Sequence, residues 1–172
     1  ASVYGTSSLL GAINIVTKAN RTSSVTLHAA SGSFGSVTSG GRINVARGKW
    51  NNQLSGSFMR TDGYNRNKAG ALNTDFRSQK AFYQGFYDDD DLSVSWHAGL
   101  SNKDFGSSTN YSSKYDDQFE HTFKTYTAVQ AETRKGAVKW RPAIYWNHNY
   151  DRFELFRDHA ERYPFNYHRT DV

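Results

Sequence analysis

The stretch LSVSWHAGL, residues 92–100, decides the fold. Leu92, Val94, Trp96, Ala98 and Leu100 fall on one side of it, and Ser93, Ser95, His97 and Gly99 on the other. Side chains of an extended chain point to opposite faces in turn, so this period-two alternation describes a β-strand with one apolar and one polar face. A helical turn would scatter the same residues around its circumference.

The pattern repeats outward from there. In residues 24–30, Val25, Leu27 and Ala29 oppose Ser24, Thr26 and His28. In residues 37–46, Val37, Gly41, Ile43 and Val45 oppose Thr38, Arg42 and Asn44. VKWRPAIYW sets Val138, Trp140, Pro142, Ile144 and Trp146 against Lys139, Arg141, Ala143 and Tyr145. Further strands are expected over Leu54–Thr61, Lys80–Tyr87 and Phe119–Glu132, with an eighth starting near Tyr167. AFYQGFY within the second of these is aromatic on both faces. No segment shows convincing helical periodicity.

Composition agrees with a sheet that is half wet. The chain has 172 residues with 11 Tyr, 11 Phe and 4 Trp, yet only 37% are hydrophobic and the mean hydropathy is −0.77. That is too polar for a sandwich with a thick dry core and too aromatic for disorder. Cysteine is absent, which excludes a disulfide framework, a thiolate metal site and a cysteine nucleophile. The net charge of +5 is scattered, with Arg60, Lys68, Lys80, Lys114 and Arg134 alternating with acids, so no nucleic-acid partner is expected. No run approaches the roughly 20 apolar residues of a spanning helix. Any crossing of a membrane is therefore by a barrel.

The connections carry the architecture. After a short first turn near Gly32–Gly35, long gaps (62–79, 102–118 and 149–167) alternate without exception with short ones (RGKWNN, DDDD at 88–91 and TRKG at 133–136). An up-and-down meander with tight turns on one rim and long loops on the other is the pattern of a bacterial outer-membrane barrel. In lipid all backbone groups must pair within the protein, so the sheet closes and turns its apolar face outward. Trp96, Trp140 and Trp146 then serve lipid contact or an interfacial girdle. Seven strands are not the even number of a closed bacterial barrel, so the chain is expected to be cut from a longer protein at both ends.

The opening residues point to a family. Ser2, Tyr4, Gly5, Gly11, Ile13, Asn14, Ile15, Val16, Thr17 and Lys18 spell SxxYGxxxxxGxINIVTK. This resembles the end of the plug domain of TonB-dependent outer-membrane receptors, with Ser8 standing where the family usually has Ala. The resemblance implies residues 1–18 as the C-terminal end of a plug. Residues 19–172 become the N-terminal part of a 22-stranded transmembrane β-barrel, seven or eight strands of an antiparallel meander. It further implies active import of a scarce nutrient, energised by a TonB-type protein pulling on a region ahead of the plug.

Within the family, MRTDGYNRN (59–67) and STNYSSKYDD (108–117) look most like the loops of vitamin B12 receptors, which hold calcium on aspartates there. Ser112 stands where the family has an Asp, leaving Asp75, Asp116 and Asp117 as substitute ligands. The best expected substrate is cobalamin, with a siderophore or other iron chelate as the alternative. A passive pore or a soluble all-β carbohydrate-binding module would be the reading without the plug motif. For ligand contact the loop candidates are Tyr64, Asn65, Asn110, Tyr111 and Tyr115, because Tyr and Asn offer flat aromatic surface and adaptable hydrogen bonds. The segment 154–169 reads as a packed lid or a ligand surface.

Other polar features have ordinary readings. DDDD at 88–91 reads as solvated acids in a periplasmic turn. His97 and Glu132 share the inward face and read as wet lumen or plug contact, not as a proton-handling pair. Inward Arg42, Lys139 and Arg141 read as partners for plug acids. HRTD at 168–171 lacks every context residue of a kinase loop, and no nucleophile has a sequence anchor, so no enzyme is expected.

Overall fold

The computed structural model describes residues 21–64, 73–162 and 167–171. Within them run β1 (Ser24–Gly32), β2 (Ser36–Arg47), β3 (Trp50–Thr61), β4 (Phe76–Asp88), β5 (Leu92–Ser108), β6 (Gln118–Thr133), β7 (Ala143–Glu154) and β8 (Tyr167–Asp171), with one 3-10 turn at Ala160–Arg162. The strands form a single sheet in chain order, each antiparallel to the next. The all-β meander expected from alternation is thus present. The sheet is open, with β1 and β8 at its edges. The plug-like stretch 1–18 lies outside the described residues, as does Asn65.

Register carries the alternation across the sheet. One row on the apolar face runs Ile43, Leu54, Tyr83, Ala98, Thr127 and Trp146, each directly opposite the next. The row behind it on the polar face runs Arg42, Ser55, Phe82, Gly99, Tyr126 and Asn147. Nothing covers the apolar side: Leu27 is 79% exposed and Ile144 78%, and Val25, Val45, Leu54, Val129 and Trp146 are also exposed. Among the described residues Phe119 alone is a buried hydrophobic side chain.

The apolar face is bounded. At the tight-turn end Trp50 packs against Tyr87 at 4.8 Å and Trp96 at 6.0 Å between ring centroids. At the loop end Phe58, Phe123 and Tyr150 close the band. Beyond them the same face becomes charged along the row Arg60, Arg77, Asp104, His121 and Arg152. Trp50 to Phe58 covers about 26 Å of strand at roughly 3.3 Å per residue. Tilted as barrel strands are, that suits a lipid-facing band about 25 Å tall or somewhat less.

Three expectations need correction. β7 begins at Ala143, not Val138, because Pro142 has no N–H to give to the ladder. The pairing only loosens there: Pro142 O still accepts from Ala131 N and Trp140 O from Thr133 N, both at 3.0 Å. The strict parity of loop lengths also fails, since the connection 134–142 is as long as 109–117. Finally, β4, β5 and β7 run further than alternation alone suggested. β5 has 17 residues and continues to Ser108 through a bulge at Gly106/Ser108.

Candidate functional site

The long-loop rim is the most tightly built part of the chain. Gln118, at the first position of β6, is fully buried at 0% exposure. Its Oε1 accepts from Tyr111 N at 3.1 Å, and its Nε2 donates to Ser112 O at 3.0 Å and Tyr115 O at 2.7 Å. One amide side chain thus replaces the backbone pairing that the 109–117 loop lacks. Asn73 holds the neighbouring loop to the same place by donating its Nδ2 to Gln118 O and accepting from Ser108 N at 3.0 Å.

Arg157 closes the rim from the third loop. Its Nη1 lies 2.6 Å from Asp75 Oδ1 and 2.8 Å from Asn73 Oδ1, its backbone N donates to Asp117 O at 3.0 Å, and its guanidinium sits 4.4 Å from the Phe119 ring centre. Burial works against the charge on Arg157. The Asp75 hydrogen bond and the charges of Asp75, Asp158 and Asp117 outweigh it and hold the guanidinium's pKa above its ordinary value. Tyr115 packs edge-on against Phe156 at 5.1 Å, and Tyr111 against Phe153 at 5.1 Å.

The Tyr111 hydroxyl donates to Glu120 Oε2. That bond, with burial and the charges of Glu120 and Asp151, pushes the phenol's pKa up to about 12.

The expected site residues are therefore partly gathered. Asp75, Asn110, Tyr111, Tyr115, Asp116 and Asp117 meet at this rim; Asn110 N donates to Ser107 O at 3.0 Å. Tyr64 belongs to a different corner, where it packs on Phe34 at 5.3 Å and exchanges hydrogen bonds with Thr74. The calcium ligand set does not assemble. Asp75's carboxylate is committed to Arg157, and among the described residues no group of three or more His, Asp or Glu is placed to hold a metal ion. Gln118, Asn73, Arg157 and Phe119 were missed, since a lone Gln after two aspartates carries no pattern.

The polar face has its own character. Arg42 (β2), Lys80 (β4), Lys103 (β5) and Lys124 (β6) cluster at mid-height, with Lys80, Ser101 and Lys124 directly opposite one another in register. Beside them Phe82, His97 and Tyr126 form an aromatic cluster with centroids 5.9–6.3 Å apart. His97 and Glu132 are not brought together: Glu132 Oε1 takes Arg141 Nη2 at 2.9 Å, so Arg141 has a partner within this sheet.

The tight-turn rim is knitted by charge. Asp89 accepts from Leu92 N at 2.7 Å, Asp91 N at 2.9 Å, Tyr87 OH at 2.8 Å and Lys49 Nζ at 3.3 Å. The Tyr87 hydroxyl, then the two backbone N–H groups, hold its carboxyl well below the usual carboxylate range. Arg134 reaches Asp88 at 2.6 Å, and Lys135 reaches Asp91 at 3.5 Å. The aspartate run is a paired turn lock, not a row of free solvated acids. Comparison with family models, curated proteins and solved structures finds no match for the chain.

Proposed function

We propose that this chain forms part of the wall of a transmembrane β-barrel that imports a solute across a bacterial outer membrane, and that the protein is a transporter and not an enzyme. The class best supported by the opening motif is the TonB-dependent receptor, in which a TonB-type protein supplies the pull. The substrate to test first is vitamin B12, with an iron chelate as the alternative.

One observation carries this reading: long antiparallel strands present a continuous apolar face, bounded by aromatic rings at both ends, with no layer of the chain packed on it. A face of that size is not left to water in a monomeric soluble protein. Lipid covers it without a second sheet, and the small, polar opposite face suits a wet lumen. A carbohydrate-binding sandwich needs a partner sheet to bury Leu27, Leu54 and Ile144.

The test is made on the whole native protein in outer-membrane vesicles. A folded barrel migrates differently in detergent gels before and after boiling. Saturable binding of cyanocobalamin should accompany that shift, measured with and without calcium because Asp116 and Asp117 are exposed at the long-loop rim. Absence of the heat shift sinks the barrel. A heat shift without cobalamin binding sinks only the substrate.

A further inference from the structure

The cations of the polar face lack counter-charges. Ten ion pairs join described residues, and they engage side chains of the two rims or of the outer charged row. None involves Arg42, Lys80, Lys103 or Lys124. Lys103 has only the Phe105 ring, 4.7 Å from its Nζ. The acids of the polar face lie toward its ends: Asp88 and Glu132 at the tight turns, Glu120 and Asp151 near the loops.

The rest of the chain cannot supply the missing charge. All 16 Asp and Glu residues of the sequence fall within the described segments, so residues 1–20, 65–72 and 163–166 contain no acidic side chain. Four cations at mid-height are therefore left for something that this chain does not provide.

We infer that this patch binds an oxyanion-rich solute, one carrying two or more carboxylate or phosphate groups. The inference rests on the barrel reading, which makes the polar face the wall of the passage. Lys80 and Lys124 are separated by one strand, so their backbones stand about 10 Å apart, and their long side chains can converge on one solute. Arg42 lies two strands from Lys80 on the other side and offers a planar fork for a second carboxylate or phosphate. The residues between are small (Ser55, Ser57, Ser101, Gly99), which keeps the depression open. The Phe82, His97 and Tyr126 rings beside it give a solute with a flat face a surface on which to lie.

The experiment uses the whole native protein inserted in zwitterionic vesicles, with citrate, ferric citrate and pyrophosphate as probes and calorimetry as the readout. The wild type should bind at least one of them with an affinity that falls as salt rises. Citrate against pyrophosphate separates carboxylate from phosphate as the preferred group. The double variant K80Q/K124Q should bind about tenfold or more weakly, as expected for losing charge-assisted contacts, and should lose most of the salt dependence. K80R/K124R, which keeps the charge, should stay within about threefold of wild type.

Equal affinity in wild type and K80Q/K124Q, or no binding of any probe by an inserted wild type, overturns the inference and leaves the barrel standing. So does a lowered melting temperature in K80Q/K124Q with unchanged anion affinity, because the cations would then face an acidic protein segment. A protein that does not insert overturns the barrel reading and this inference with it.

Discussion

Gln118 shows how much one side chain can organise. With no access to solvent it satisfies a backbone N–H and two carbonyls of a loop that has no ladder of its own. Gln118→Ala strands those groups, and with about 1–3 kcal/mol for each buried polar group left unpaired the 109–117 loop should loosen first. Amide exchange at Tyr111 is the readout, and an unchanged rate would show that water replaces the amide without loss.

Tyr111 makes a second prediction at this scale. Its raised pKa means that the folded state favours the neutral phenol. The contribution is complete below the ordinary tyrosine value near 10 and is lost as pH rises through about 12. Difference absorbance between wild type and Tyr111→Phe should therefore show no phenolate from this residue near pH 10.5. A normal titration midpoint there refutes the Glu120 bond. Neither role was visible in the sequence, where Tyr111 is one aromatic among many and Gln118 sits in no motif. Their environments come from loops that are distant along the chain.

At the scale of the elements, strand pairing is held by side chains that lie across neighbouring strands. Trp96 lies flat over Gly85, its register partner on β4; a Cβ built on that glycine would come within 2.2 Å of the indole ring. The glycine lets the ring lie against the backbone, where it also packs against Trp50 and donates to Tyr83 OH at 3.3 Å. Gly85→Ala should push the indole off its seat at about 1–3 kcal/mol, the usual range for overpacking. Tryptophan emission is the check, and a spectrum identical to wild type would mean that Trp96 does not rest there.

Alternation foretold the strands themselves because a two-residue period survives any tertiary context. The ends of β4, β5 and β7 were less legible. They carry mixed residues such as Arg77, Asp104 and Arg152, which pair as strand beyond the apolar band and so break the pattern without breaking the ladder.

For the whole molecule the decisive property is which face meets lipid. Leu54 and Gln53 are adjacent on β3 and point to opposite sides. With the apolar face in a bilayer, Leu54→Arg near mid-band should cost about 2–4 kcal/mol of folding free energy in vesicles, and Gln53→Arg much less. Urea titration of the inserted protein measures both. Equal effects would mean that the two faces share one environment, and the lipid assignment would fall.

The sequence by itself determined the class of the sheet, the faces of its strands and the two kinds of rim. All three follow from local rules: side-chain direction alternates with each residue, glycine and aspartate favour turns, and a chain without cysteine has no disulfides to override these preferences. Only the tertiary structure decided which loops meet and what holds them, since Arg157 finds Asp75 and Asn73 across more than eighty residues of chain. It alone also left Arg42, Lys80, Lys103 and Lys124 together without acids, because cross-strand register, which spacing along one strand does not encode, sets which charges become neighbours.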